Sequence, residues 1–165
     1  MKELKVTWPQ KANKEDKLLR QDVIDLLKAH HNIKPIELKW HQKIEHEIDA
    51  ILIAKTPAGL IRTFGFELKE NDLRKAVIQA VVRRKLFNYF YIISYAHPAK
   101  VCFYLEWALR NGKHGLLEIM KKYGIGWIIN LKRFEVEDAY ASLFQSILLL
   151  SSKFKPYYAY LEVEP

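Results

Sequence analysis

The order of apolar and polar residues predicts a chain in which strands alternate with helices. Six segments have strand patterns, because each shows either strict alternation of apolar and polar residues or one continuous apolar run. They are 36–41, 45–54, 60–69, 89–95, 125–131 and 157–163. The second and third of them are separated only by turn residues, which favours a hairpin. The continuous apolar runs are typical of strands covered on both faces of a sheet.

Helical spacing of apolar residues accounts for most of the remaining chain. Helices are expected over 14–30, from Asn71 or Asp72 to near Phe87, from Pro98 to Gly112, up to Gly124, and from Glu137 through Leu148. Residues 1–13 are polar and basic, and we expect them to form a flexible arm. The whole order predicts a single α/β domain over residues 1–165, with a mixed central sheet flanked by helices.

Charge is the first feature of the composition that bears on function. The chain has 165 residues, and its 27 Lys and Arg against 19 Asp and Glu give a formal net charge of +8. This excess makes a polyanion such as DNA the first partner to consider, and an acidic membrane surface the second. A basic surface that serves only solubility is the alternative.

Several classes of protein are excluded by the composition. The single cysteine, Cys102, rules out a disulfide framework and a cysteine-based zinc site. The chain begins without an apolar run behind a charged head, so no secretory signal is expected. No apolar stretch approaches the roughly 20 residues that span a bilayer. The prediction is therefore a cytoplasmic protein with no membrane partner.

The hairpin between the second and third strands brings acidic residues together. Pro57, Ala58 and Gly59 fit a three-residue loop with Gly in the left-handed position. Position 56 then pairs with 60, so that Asp49 lies opposite Glu67 and Glu47 lies opposite Lys69. Opposed residues share a face, with Cβ atoms roughly 4.5–5.5 Å apart. A two-residue loop would place the two acids on opposite faces.

Two ionised carboxylates at this spacing need compensation. At about 4 Å they repel by roughly 4 kcal/mol at a partly buried site. A raised pKa, a cation such as Lys69, or a bound metal ion offsets this repulsion. Oxygen ligands with open positions suit Mg²⁺ or Mn²⁺. The alternative is a solvated face with cross-strand ion pairs, which is how we interpret the similar segment Glu37 to Lys39.

Further polar side chains are candidates for the same site. On a helical wheel of the first helix, Glu15 and Asp22 both fall within the apolar arc, and Glu15 is the stronger candidate for a third carboxylate. An acid that stabilises the first turn of the helix is the alternative for Glu15. Gln79 lies within an apolar helix and needs hydrogen-bond partners, either from the core or from a site.

Basic residues near the end of the second helix are candidates for phosphate contacts. The candidates are Lys75, Arg83, Arg84 and Lys85. Cations also suit the C-terminal end of a helix dipole, and any one of these residues has solvated surface as its alternative role.

Three segments together resemble the PD-(D/E)XK nuclease superfamily, which has the restriction-endonuclease-like fold. They are Glu47 to Asp49, Gly65 to Lys69, and Gln79-Ala80 on the following helix. The predicted order of elements over about 14–131 is also similar to the helix, three strands, helix and strand of that family. The resemblance implies a three-layer domain with an αβββαβ core, followed here by further helices and strands.

The resemblance also implies roles for individual residues. Asp49, Glu67 and the carbonyl of Leu68 would bind Mg²⁺, and Lys69 would orient or activate the attacking water. Glu15 would be the additional carboxylate from the first helix, and Gln79 matches a glutamine that some branches carry. This chain lacks a Pro before Asp49 and has Arg83 where one branch has Tyr. It is similar both to Holliday-junction resolvases and to small restriction-type or repair-type nucleases.

The sequence thus predicts a Mg²⁺-dependent DNA endonuclease. A catalytically silent subunit that binds nucleic acid or assembles with other proteins is the alternative, and a structural domain facing an acidic protein is a third possibility. A homodimer is a further expectation, because the aromatic segment Tyr157 to Tyr160 could add to a sheet edge. The form of the substrate, whether duplex, junction, flap, single strand or RNA, stays open.

Overall fold

The computed structural model describes residues 3–111, 115–131 and 146–156. The strands are β1 Lys34–Ile44, β2 His46–Lys55, β3 Ile61–Lys69, β4 Tyr89–Tyr95, β5 Ile125–Asn130 and β6 Ile147–Leu150. The α-helices are α1 Gln21–His31, α2 Leu73–Arg83, α3 Val101–Arg110 and α4 Gly115–Tyr123. Short 3₁₀ turns lie at Asp16–Leu18, Arg84–Leu86 and Pro98–Lys100. In these described ranges no helix combines the length and apolar character required to cross a membrane.

The six strands form one mixed sheet in the order β1-β2-β3-β4-β5-β6. Strand β2 is antiparallel to both of its neighbours, β1 and β3. Strands β4 and β5 run parallel to β3, and β6 is antiparallel to β5. The predicted α/β class with a mixed, helix-flanked sheet is therefore confirmed. The segment Glu37 to Lys39 lies on the edge strand β1, as expected.

Apolar residues form a separate core on each face of the sheet. One core contains α2 and α4 residues together with Ile51, Phe90 and Trp127 from the strands. The other contains α1 residues together with Phe66 and Ile93. Because β4 and β5 are covered on both faces, their continuous apolar runs are the expected pattern.

The first predicted helix is interrupted. Residues Asp16–Leu18 form a 3₁₀ turn, Leu19 and Arg20 are extended, and the α-helix begins only at Gln21. A helical wheel drawn through residues 14–30 therefore does not describe the real directions of the early side chains. The helical period of the apolar residues predicted the element, but that pattern does not reveal a two-residue break.

The C-terminal prediction needs one correction. Ile147 and Leu148 were expected at the end of a helix, but they begin strand β6, which pairs with β5. A short apolar run fits a strand as well as a helix, and only the open edge of β5 decides between them. Three predictions lie outside the described residues. They are the helix over 137–145, the end at Gly112 of the helix that begins at Pro98, and the strand over 157–163.

The N-terminal segment is attached to the domain, so the expectation of a flexible arm is wrong for residues 3–13. The amide of Val6 donates to Oε1 of Gln21 at 2.8 Å, and the Nε2 of Gln21 donates to the carbonyl of Leu4. The indole of Trp8 donates to the Leu19 carbonyl at 3.1 Å. These contacts satisfy backbone groups that a free arm would leave to water.

Arg84 is a structural residue, which corrects its prediction as a phosphate contact. Its side chain is 2% exposed, and its guanidinium donates to four backbone carbonyls. These belong to Tyr123, Phe87, Asn88 and Lys153. Burial lowers the pKa of Arg84 to about 10, so it remains charged near neutral pH. Arg84 thus connects the end of α4 to the residues just before β4 and to the segment after β6.

We expect Arg84→Met to lower the free energy of unfolding by about 3 kcal/mol or more, because it leaves buried carbonyls without donors. Lys85→Met is the matched control, since Lys85 is exposed and makes only a surface ion pair with Glu45 at 3.5 Å. Such a pair contributes about 0–1 kcal/mol. Urea denaturation measures both changes, and equal effects of the two variants would contradict the structural role of Arg84.

Candidate functional site

The hairpin between β2 and β3 has the predicted loop and register. The Gly59 amide donates to the Thr56 carbonyl at 2.9 Å, and Gly59 has a left-handed φ of +85°. Pairs run from Lys55 with Ile61 to Ala50 with Phe66. Each pair continues the predicted pairing of position 56 with position 60, so the register is confirmed. Continued by one residue beyond the last of these pairs, the same register places Asp49 opposite Glu67.

A side-chain hydrogen bond fixes Asp49 against the end of β3. Its Oδ2 accepts from the backbone N–H of Leu68 at 2.8 Å. The N–H and C=O of a strand residue point toward the same neighbouring strand. The carbonyl oxygen of Leu68 therefore faces the side on which Asp49 lies. Two carboxylates and one carbonyl, all predicted site groups, thus belong to one short stretch of the hairpin.

Glu67 is the most strongly perturbed acid in this group. It is 4% exposed, and burial raises its pKa to about 8, with the nearby charge of Asp49 as the second cause. Arg83 and Lys69 act in the opposite direction. Burial also raises the pKa of Asp49, although the hydrogen bond from Leu68 opposes that shift. Protonated near neutral pH, Glu67 holds a proton that a bound cation would displace.

A third carboxylate, Glu15, reaches the same end of β3. Its Oε2 accepts from the backbone N–H of Glu70 at 3.0 Å. Glu15 thus approaches the pair from the residue before a 3₁₀ turn, and not from an α-helix. Asp22 lies elsewhere, since its Oδ2 accepts from the amide and hydroxyl of Ser146 at 3.2 and 3.0 Å. Of the two candidates, only Glu15 contacts the end of β3.

Arg83 points toward the acids, in contrast to its prediction as a phosphate contact. Its Nε donates to the Glu47 carbonyl at 2.9 Å, and its Nη1 lies 3.8 Å from Oε2 of Glu67. These contacts direct most of its guanidinium inward. The other basic candidates, Lys75 and Lys85, are exposed at the surface. Their contacts with nucleic acid remain a prediction.

Gln79 lies on the same helix face as Arg83, because the two residues are four positions apart. Its Oε1 is buried and finds no hydrogen-bond partner within the described parts of the chain. An unsatisfied buried acceptor is costly, so this amide is available to a donor that enters the site. Its participation in the site remains a prediction.

His41 and Asp16 are neighbours of the site that the sequence pattern did not identify. The Nε2 of His41 lies 2.8 Å from Oδ1 of buried Asp16, and Nδ1 lies 3.3 Å from Oε1 of Glu47. Burial would lower the pKa of His41, but these two carboxylates raise it overall. On an alternating strand His41 looks like an ordinary exposed residue. Its left-handed backbone, with φ of +49°, is a tertiary feature.

The donor set limits which metal ion this site could hold. Across 3–111, 115–131 and 146–156, no three or more His, Cys, Asp or Glu side chains form a metal-binding group. The donors that do converge are carboxylate and carbonyl oxygens. Such oxygens fit Mg²⁺ or Mn²⁺, because Mg²⁺ is commonly held by one or two carboxylates while it keeps several waters. Asp49, Glu67 and Leu68 fit that smaller set.

Comparisons with known proteins add little to these observations. No family model matches the chain, and no curated protein matches it either. A similar solved structure is a protein of unknown function from Silicibacter pomeroyi, with 9% identity and a TM-score of 0.44. The match covers 90% of this chain and 77% of that chain. Similarity at this level assigns neither a fold family nor an activity.

The raised pKa of Glu67 predicts a specific pH dependence of stability. The native protein keeps the proton up to about pH 8, whereas the unfolded chain releases it near the ordinary value of 4.5. The native state binds more protons between these values, so wild-type stability falls as pH rises through this window. Glu67→Gln removes the titrating group. We expect it to raise the free energy of unfolding at pH 8.5, relative to wild type, by at least about 1 kcal/mol.

Urea denaturation at pH 5 and pH 8.5, with EDTA present, measures this difference. Glu37→Gln is the matched control, because Glu37 belongs to the other Glu-Leu-Lys segment and is exposed on β1. It should leave the pH dependence as in the wild type. The same slope of stability against pH in Glu67→Gln and the wild type would contradict the raised pKa of Glu67, and with it the burial of Glu67 beside Asp49.

Proposed function

We propose that this protein is a Mg²⁺-dependent nuclease that hydrolyses phosphodiester bonds in DNA. The observation that supports this most is the buried pair Asp49 and Glu67 at the end of β3, with Asp49 held by the Leu68 amide. A fold retains a destabilising pair of this kind more readily when a bound cation compensates it in the working state.

The arrangement of elements is compatible with the nuclease family that the sequence resembles. A helical segment, the antiparallel strands β1 to β3, helix α2 and the parallel strand β4 follow one another in that order. Membership in the PD-(D/E)XK superfamily and the restriction-endonuclease-like fold are parts of this proposal. The proposal depends on the geometry of the acids more than on any short motif.

Each residue of the site has a proposed task. Asp49, Glu67 and the Leu68 carbonyl would hold the cation, and Glu15 would add negative charge at the same end of β3. When bound, a divalent cation polarises the phosphate and lowers the pKa of a water. Lys69 follows Glu67 by two residues and orients the attacking water through a hydrogen bond. Glu67 must release its proton before it binds a cation, so cation binding strengthens as pH rises toward 8.

The surface charge favours a polyanionic substrate. The net charge of +8 raises the local concentration of DNA, and exposed Lys75 and Lys85 lie on or just after α2. Contacts of this kind position a phosphate backbone without reading its sequence. Binding should accordingly weaken as salt concentration rises.

Cleavage assays with linear and structured DNA in Mg²⁺ test the proposal. Asp49→Ala and Lys69→Ala should each lower the cleavage rate by at least about 100-fold, because one removes a cation ligand and the other the group that orients water. Glu37→Ala and Lys39→Ala are the matched controls from the exposed edge strand and should cleave like the wild type. Equal cleavage by Asp49→Ala and the wild type would refute the site.

A catalytically silent nucleic-acid-binding or assembly subunit is the alternative, and one observation favours it. The guanidinium of Arg83, 3.8 Å from Glu67, already supplies a positive charge where a cation would be needed. Titration with Mn²⁺ separates the two functions. A working metal site should raise the melting temperature with increasing Mn²⁺, and Glu67→Gln should abolish that rise. A melting temperature that does not respond in the wild type would favour the silent subunit.

A further inference from the structure

An aromatic pocket lies between the start of α2 and helix α3. Its volume is about 330 Å³. It is lined by Asp72, Leu73, Lys100, Phe103, Tyr104 and Trp107. Pockets of about 300–1,000 Å³ are the usual size for small ligands or for one recognised group of a larger ligand.

The rings of this pocket are unusually exposed. Phe103 is 71% exposed and Trp107 is 41% exposed, and the two lie four residues apart on one face of α3. Tyr104 packs edge-on against Trp107, with ring centroids 6.3 Å apart. Exposed aromatic groups that lie together on a surface mark sites of interaction. Their flat faces fit a flat apolar partner.

The pocket and the acids lie at the same edge of the sheet. Strands β3 and β4 are parallel, so Lys69 and Tyr95 end at one edge. Asp72 and Leu73 follow β3 closely, and Lys100 lies in the turn that leads from β4 into α3. The side chains of α2 and α3 pack on the same face of the sheet. The topology therefore places the acids and the aromatic rings toward the same edge of the sheet.

One basic and one acidic side chain line the pocket. Lys100 supplies a cation at its margin. The Oδ1 of Asp72 accepts from the amide of Lys75 at 3.1 Å and caps α2. Aromatic faces beside a lysine form the usual platform for single-stranded nucleic acid, in which bases stack and phosphates meet cations.

We propose that the Phe103–Trp107 pocket binds an unpaired nucleobase of the substrate. The preferred substrate is then DNA with a single-stranded segment next to the bond that is cleaved, because a base paired within a duplex cannot enter a pocket. This inference rests on the proposed nuclease function for its link to cleavage. Binding of single strands by the pocket is measured independently of cleavage.

Fluorescence anisotropy with a labelled oligo-dT, in EDTA so that nothing is cleaved, tests the pocket. Phe103→Ala and Trp107→Ala should each weaken binding by about 5- to 150-fold, the loss expected for one stacked base. Phe103→Tyr keeps a ring and should bind like the wild type, whereas Phe103→Leu should not. Since Phe103 is largely exposed, these variants should fold normally, and their melting temperatures verify this.

Two controls make the test specific to the pocket. Phe154→Ala removes another exposed aromatic ring, one that contacts Arg62 and Tyr89 away from α3, and should leave oligo-dT binding unchanged. A blunt duplex of equal length should bind the wild type and Phe103→Ala equally. If Phe103→Ala and Trp107→Ala bind oligo-dT like the wild type, the pocket proposal is wrong. It is also wrong if Phe103→Ala leaves oligo-dT binding unchanged and alters only the sedimentation coefficient, because the rings then form a contact between two copies of this chain.

The outcome is distinguishable from that of the nuclease proposal. If Asp49→Ala abolishes cleavage while the pocket variants bind normally, the nuclease function stands and the pocket proposal fails. If the pocket variants lose oligo-dT binding but the wild type cleaves no DNA, the pocket stands and the nuclease proposal fails.

Discussion

The hydrogen bond from the Leu68 amide to Asp49 joins the two halves of the candidate site. It holds one carboxylate against the end of β3, where burial already disfavours the charge of Glu67. The register of the β2–β3 hairpin makes this bond possible, and a loop of one residue fewer would separate the acids. The electrostatic character of the site therefore depends on the short turn that ends at Gly59.

Three adjacent basic residues at the end of α2 and in the 3₁₀ turn after it have different surroundings in this fold. Arg83 turns toward Glu67, Arg84 is buried among backbone carbonyls, and Lys85 remains exposed. Three consecutive cations look alike as a sequence, because each suits the end of a helix. The surroundings differ at each of the three positions, so Arg83 contacts an acid, Arg84 is buried and Lys85 is exposed to solvent.

Functional elements collect at the edge where β3 and β4 end. Glu67 lies near the end of β3, α2 begins shortly after β3, and α3 with its aromatic rings follows β4. Parallel strands bring their carboxyl ends to one edge, so chemistry carried by separate segments meets without any long loop. The exposed aromatic pocket and the buried acidic pair lie toward this one edge, and the proposed path of a nucleic-acid strand runs along it.

The sequence alone determined the first five strands, most helices and the hairpin register, because these follow from local periodicity and from turn residues such as Pro57 and Gly59. It also identified Asp49 and Glu67 as neighbours and Glu15 as their stronger additional candidate. Only the tertiary structure decided that Arg84 is buried while Arg83 contacts Glu67, and that residues 3–13 pack on the domain. It also decided that Ile147 and Leu148 form a strand and that His41 contacts Asp16. These features depend on contacts between segments far apart in the chain, and local patterns carry no record of such contacts.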